Sequence, residues 1–394
     1  MTRSILPEPP DELKALSTAL CDRLRDEYAE TGFLPFARFM ERALYEPGLG
    51  YYSAGLHKFG AAGDFVTAPE IGGLFAACLA AQVSEAGALL GRYDILEPGA
   101  GSGKLAADLL NALPEAALPD HYFILERSAD LRAEQRRTLD ERAPGRCGRV
   151  EWLDAPPEDA WRGVLIANEV IDALAVERFR RVDGQIQQVG VQPAGESGAD
   201  GFGWDYRPAP ERLSQAVAQL DSDLPEPYES EILPELADWL RAVTERMSSG
   251  LALFIDYGYP RSEYYLPERR TGTLMCHYRH RAHTDPFFWP GLQDLTAFVD
   301  FTALAEAGEA CGLNLAGYTS QTLFLLGCGL DRILAEHIED TDDGGLKLNA
   351  EARQLTLPGM MGERFQVMAL ERDLEHRLDQ PWSGFSLRDL SYRL

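Results

Sequence analysis

The chain of 394 residues carries 37 Lys and Arg against 63 Asp and Glu, a formal net charge of -26, and is 45% hydrophobic. That apolar share can build a large core and excludes disorder as a global description, and the length suits two domains or one heavily decorated one. The excess of acid argues against a broad basic face gripping phosphates, so no nucleic-acid partner is expected.

Cys21, Cys78, Cys147, Cys276, Cys311 and Cys328 are scattered without a C-x-x-C pair. Such spacing suggests reduced thiols and a cytoplasmic protein, with neither a disulfide framework nor a zinc ribbon. Residues 1–11 hold acids and prolines and no apolar run, so neither a secretory nor a transit segment is expected there. No stretch approaches the ~18 apolar residues of a spanning helix, so no membrane association is expected.

Along the chain, Leu13, Leu16, Leu20, Leu24 and Tyr28 recur at helical spacing, and a second helix is predicted over 35–44, ended by Pro47-Gly48. After a glycine-rich loop, 71–90 reads as a small-residue helix. From residue 93 short apolar runs alternate with helices. Strands are predicted at 93–96, 122–125, 150–153, 163–167 and 251–255, with helices at 103–113 and 129–141. That alternation is the mark of an open parallel sheet with helices on both faces.

Two insertions interrupt it. Residues 179–191 read as a hairpin turning at Asp183-Gly184, 192–210 as a Gly-, Pro- and acid-rich loop, and 229–247 as one amphipathic helix. The second insertion, 257–300, holds aromatics, prolines, His277, His280 and His283. Their spacing would put two on one helical face, but Arg279 and Arg281 sit among them, so a lid or recognition surface is expected there and no metal site. Helix 301–311, strand 313–320, helix 323–338 and strand 365–371 complete the series.

The most informative segment is Glu97-Pro98-Gly99-Ala100-Gly101-Ser102-Gly103-Lys104, where a strand ends and a helix begins. A P-loop would need Gly and Ser or Thr where Pro98 and Leu105 stand. A dinucleotide fingerprint would need Gly at Lys104, which weakens the nicotinamide reading without removing it. The third reading, E-x-G-x-G-x-G after the first strand, resembles class I S-adenosylmethionine methyltransferases. Gly99, Gly101 and Gly103 would let backbone approach the ligand, and Glu97 would lie near its positively charged methionine end. Glu126 closes the next strand, 23 positions after Gly103, near the ~20 expected for a carboxylate on the ribose hydroxyls.

Four segments in this order resemble the MidA-like methyltransferases. They are Gly63-Asp64-Phe65-Val66-Thr67-Ala68-Pro69-Glu70-Ile71, the Glu97–Gly103 loop, Ala167-Asn168-Glu169-Val170-Ile171-Asp172-Ala173-Leu174, and Asp256-Tyr257-Gly258. A weaker fifth runs from Gly272-Thr273-Leu274 to Asp294–Phe301. The family's loop commonly has a basic residue where Ser102 stands, and here the base is Lys104. The resemblance implies an α/β class I methyltransferase, Rossmann-like, with a seven-stranded mostly parallel sheet, S-adenosyl-L-methionine as cofactor and no metal. It implies a protein substrate, arginine by preference, in the manner of the mitochondrial factor that methylates a respiratory-chain subunit.

The expected partition is a helical extension over 1–62, a cofactor domain over 63–178 and 245–375, a smaller lobe from 179–244 and 257–300, and a tail from 376 to 394. Asp64, Thr67, Pro69 and Glu70 are expected to fold over the methionine end, with Glu97, the three glycines and Glu126 completing the cofactor set. Asn168, Glu169, Asp172 and Asp256 follow the fourth and fifth strands, at the edge where open sheets bind ligands. If the acceptor is a guanidinium, these acids could hydrogen-bond it in a fork. Helix capping is the alternative for Asn168 and Asp172. Two other functions stay open: a non-catalytic assembly factor that holds the cofactor, and a nicotinamide oxidoreductase.

Overall fold

The computed structural model describes residues 6–54, 67–194, 201–220, 224–338, 345–374 and 380–394. Its backbone separates into two compact units, one of Val66–Ile171, Leu236–Arg261 and Val299–Leu394, the other of Met1–Phe65, Asp172–Glu235 and Ser262–Phe298.

In the first unit the apolar runs become strands: β1 (Asp94–Pro98), β2 (Tyr122–Leu125), β3 (Val150–Leu153), β4 (Trp161–Asn168), β5 (Met247–Tyr259), β6 (Asn314–Ser320) and β7 (Phe365–Arg372). Their spatial order is β6-β7-β5-β4-β1-β2-β3, with a short eighth strand, Val299–Asp300, beside the end of β5. β7 runs antiparallel to β5 and β6, and β1 to β5 are mutually parallel. Val164, Leu165, Ile166, Leu251, Leu253 and Ile255 are fully buried, as continuous apolar runs must be when helices cover both faces. The strand order reverses at β1, so the glycine loop leaves the sheet at its switch point.

Helix Leu74–Leu90 buries Ala76, Ala80, Ala86 and Gly87, and a Cβ on Gly87 would fall 2.7 Å from the Tyr93 ring. The helix expected over 71–90 forms as Leu74–Leu90, and a separate short helix, Ala68–Ile71, precedes it across Gly72-Gly73. The one expected over 323–338 is broken into Gln321–Gly327 and Leu330–Ile338, with Gly329 at φ 88°. Helix Leu346–Thr356 was not anticipated. Nor do residues 380–394 behave as a tail. Trp382 and Phe385 enter the core, and 388–390 line the edge strand β6, where Leu390 N–H donates to Tyr318 O at 2.6 Å. The exposed edge is thereby covered.

In the second unit, helices Asp11–Thr31 and Phe36–Tyr45 share a core with both insertions: Leu20, Leu24, Phe36 and Phe39 pack with Val191, Phe202, Cys276 and Leu295. The helical extension and the inserted lobe, expected as separate pieces, thus bury one apolar cluster. The hairpin of Glu177–Val182 and Gln185–Pro193 turns at Asp183 (φ 51°) and Gly184 (φ 70°), the paired left-handed conformation of a tight hairpin.

Two expectations fail here. Within 192–210, Phe202–Pro208 is a strand paired antiparallel with Gln185–Pro193, because Phe202, Trp204 and Tyr206 alternate as a strand requires. The helix expected over 229–247 is strand Tyr228–Ile232, helix Leu236–Thr244 and the start of β5, since Pro234 cannot sit inside a helix. The His-rich stretch is likewise no helix. It forms a hairpin of Met275–Tyr278 and Arg281–His283, with Arg279 and His280 in the turn at φ 47° and 60°.

Candidate functional site

Glu97 sits one residue before the end of β1 and is almost wholly buried. Burial pushes its carboxyl up to about 7, against the opposing pull of the Tyr122 hydroxyl, which donates at 2.8 Å. Gly99, Gly101 and Gly103 then adopt φ of 65°, 54° and 80°. Only glycine holds three such alternate left-handed positions without strain. At Gly103 a Cβ would also fall 2.9 Å from Gln135 Cα.

Gln135, on helix Ala129–Arg142, is a contributor that sequence reasoning missed. Its Nε2 donates to Gly101 O at 3.0 Å and to Glu126 Oε2 at 3.4 Å, while Trp152 Nε1 donates to its Oε1 at 2.8 Å. It therefore ties the glycine loop to the acid after β2. A buried polar residue at a helical core position was the available signal. Glu126 also accepts from Ser128 N–H at 2.8 Å.

Thr67 precedes the short helix Ala68–Ile71, with Pro69 buried. Glu70 accepts from Ser102 Oγ at 2.5 Å, which brings this segment to the glycine loop. Asp64 lies outside the described residues. Lys104, which a triphosphate site would aim at phosphates, instead donates to Gly72 O at 2.7 Å and pairs with Asp108.

At the ends of adjacent β4 and β5, Asn168 is in register with Ile255. Glu169 follows at φ 52°, its N–H donating to Ile255 O at 2.9 Å. A left-handed glutamate is a costly conformation, of the kind that gathers at ligand sites. Asn168 Nδ2 donates to Glu169 Oε1 at 3.3 Å, and Asn168 Oδ1 is buried without a hydrogen-bond partner among the described residues. Buried Asp256 accepts from Ile171 N–H at 3.0 Å and Tyr257 N–H at 2.8 Å, which fixes the turn carrying Glu169.

Asp172 belongs to the other unit. It is buried, and its carbonyl accepts from Ala297 N–H at 3.0 Å. In that unit Tyr52 donates to Asp294 Oδ1 at 3.0 Å, and burial followed by the Asp294 charge pushes its phenol well up. His277 and His283 lie on the neighbouring strands of the hairpin, and burial lowers His277 to about 4. Among the described residues no three His, Cys, Asp or Glu are grouped to hold a metal ion, and no helix is long and apolar enough to cross a membrane.

The residues present suit S-adenosylmethionine. The loop offers a left-handed glycine backbone and a buried acid whose partner is a neutral phenol, the reverse of an anion cradle, and among the described residues Asn168 Oδ1 has no donor.

Residues 74–319 match the family described as "Putative S-adenosyl-L-methionine-dependent methyltransferase". A Burkholderia thailandensis crystal structure bound to S-adenosyl-homocysteine is 43% identical, covers 99% of this chain and 100% of its own, and superposes at a TM-score of 0.92. A native structure of an uncharacterised protein from the same organism is 42% identical over 99% and 100%, at 0.89. Among curated proteins, the mitochondrial protein arginine methyltransferase NDUFAF7 homolog of Drosophila melanogaster is 29% identical over 96% of this chain and 93% of its own. The mitochondrial NDUFAF7 of Danio rerio is 28% identical over 90% and 87%. These mitochondrial relatives overturn the cytoplasmic expectation, which rested on cysteine spacing and on the lack of a targeting pattern in residues 1–11: reduced thiols do not distinguish one reducing compartment from another.

Proposed function

Because the chain belongs to this family of S-adenosyl-L-methionine-dependent methyltransferases, we propose that it methylates a protein side chain, with the arginine guanidinium as acceptor. The observation that carries the reading is the shared carboxyl edge of β1 and β4. There, three left-handed glycines follow a buried acid, and Asn168 Oδ1, without a hydrogen-bond partner among the described residues, adjoins a left-handed glutamate. The names of the curated relatives supply the choice of arginine.

S-adenosylmethionine supplies a methyl group on a positively charged sulfur. Glu97, the Gly99–Gly103 backbone, Glu126 and the Thr67–Glu70 segment would hold it, with Asp64 assigned by resemblance. A guanidinium arrives protonated, its pKa above ~12, so the protein must orient one nitrogen and draw charge to the others. Glu169 and Asn168 Oδ1 accept its N–H groups, and Glu169 takes up the proton that the methylated nitrogen sheds. Asp256 keeps that turn in place. Alignment and exclusion of water do the remaining work.

The test is incubation with labelled S-adenosylmethionine and candidate protein acceptors, respiratory-chain subunits first, followed by identification of the labelled residue. Label on arginine is expected; label confined to lysine, nucleic acid or small molecules overturns the assignment. Glu126→Ala should weaken cofactor binding by about tenfold or more, and Glu169→Ala should abolish turnover while sparing binding. A biological function that survives Glu169→Ala and is lost with Glu126→Ala would identify a binding factor instead. Tight nicotinamide binding without S-adenosylhomocysteine binding would identify an oxidoreductase.

A further inference from the structure

Four parts of the chain remote in sequence meet at the Gly72-Gly73 break. Lys104 Nζ donates to Gly72 O at 2.7 Å and pairs with Asp108, which Arg142 holds from the far side at 2.9 Å. From helix Leu346–Thr356, Glu351 Oε1 accepts the N–H of Leu74 at 2.6 Å across 277 positions. Gly72 runs so close to that carboxylate that a Cβ would fall 2.0 Å from Glu351 Oε2. Ser102 holds Glu70 one turn earlier.

Leu74 opens a 17-residue helix, and its N-cap, Gly73, offers no side chain for the exposed N–H groups. Glu351 supplies the missing acceptor and a negative charge at the positive end of the helix. Burial raises its carboxyl, while the Leu74 N–H and Lys104 draw it the other way. Two consecutive glycines would otherwise leave Thr67–Glu70 on a loose pivot, with ordering entropy to lose on binding.

We infer that Lys104 and Glu351 are positioning residues that clamp the Thr67–Gly73 segment against the glycine loop and so raise cofactor affinity without touching the cofactor. The inference rests on the proposed placing of S-adenosylmethionine between that segment and the loop. It also explains why the base of the loop stands at Lys104: from the first turn of helix Lys104–Ala112 an ammonium reaches Gly72 O.

The test is calorimetric titration of the full chain with S-adenosylhomocysteine. Lys104→Met and Glu351→Leu should each weaken binding by about tenfold. Lys104→Arg and Glu351→Gln, which keep the donor and the acceptor, should stay within about threefold of the unaltered chain. In turnover, the disruptive pair should raise KM for S-adenosylmethionine and leave kcat at saturation unchanged. Deuterium uptake over 67–74 should rise in both, and uptake over 94–101 should not. Unchanged affinity in folded Lys104→Met and Glu351→Leu overturns the inference alone, as does equal damage from the conservative variants. An unaltered chain that fails to bind S-adenosylhomocysteine overturns the proposed function and this inference with it.

Discussion

The two units treat buried charge in opposite ways. In the inserted unit Arg178 is nearly inaccessible, yet its charge is met by a carboxylate, a carbonyl and two rings. Its Nε donates to Glu231 at 3.0 Å, its Nη2 to Thr271 O at 3.1 Å, and its guanidinium lies over Trp204 at 4.7 Å and Phe36 at 5.7 Å. In the sheet unit Glu97 is buried as deeply, and its donor among the described residues is one neutral phenol, while Asn168 Oδ1 has none. A closed set of partners serves the fold, because an unanswered ion would cost several kcal/mol. An open set at a sheet's carboxyl edge is the arrangement of a ligand site, and here the missing partner is a cation or a donor.

Breaking the closed set should have the largest effect. Arg178→Met strands Glu231 and should cost about 3–5 kcal/mol in denaturant unfolding, and Glu231→Gln added to it should recover much of that loss. Next comes the open set. Glu97 has a folded pKa near 7 against an ordinary 4.5, so the folded chain binds its proton more tightly than the unfolded one. Its contribution is therefore intact at pH 4 and falls as the pH rises to 7. Glu97→Gln should remove that loss and be more stable above pH 7 by ~3 kcal/mol, measured by unfolding across pH 4–8. The same variant should weaken binding of cationic S-adenosylmethionine more than that of S-adenosylhomocysteine.

Gly103→Ala should follow, at about 1–2 kcal/mol for the left-handed conformation. The displacement of Gln135 adds to this, and S-adenosylhomocysteine affinity should fall alongside melting temperature. The smallest effect belongs to the exposed pair of Arg332 and Glu336, 3.0 Å apart on one helix. Arg332→Ala should change stability by less than about 0.5 kcal/mol, which sets the scale of a pair that is neither closed nor buried.

Much of the sheet unit was legible in its amino acids, because each of its signals is local. Parallel strands buried on both sides must be apolar runs, and the runs at 163–167 and 251–255 lie inside strands Trp161–Asn168 and Met247–Tyr259. The inserted unit was legible at Asp183-Gly184, where a tight hairpin demands those residue types, and not at 202–208, where glycines and acids masked an aromatic alternation. In the candidate site, Gly99, Gly101 and Gly103 stood out from backbone chemistry, and Glu97 and Asn168-Glu169 from their places at strand ends and from the family resemblance. Gln135 and Glu351 did not, since nothing near them in the chain marks them.

The sequence by itself determined the strand–helix order, the loop that only glycine can make and the acids at the strand ends, all properties of residues within a few positions of one another. Tertiary structure alone decided which groups answer those acids. It set Glu351 on Leu74, Lys104 on Gly72 and residues 388–390 along an open strand edge, and it left Asn168 Oδ1 without a partner among the described residues. Such pairings join positions up to hundreds of residues apart. They depend on how packed elements bring donors to acceptors, a quantity no local pattern carries.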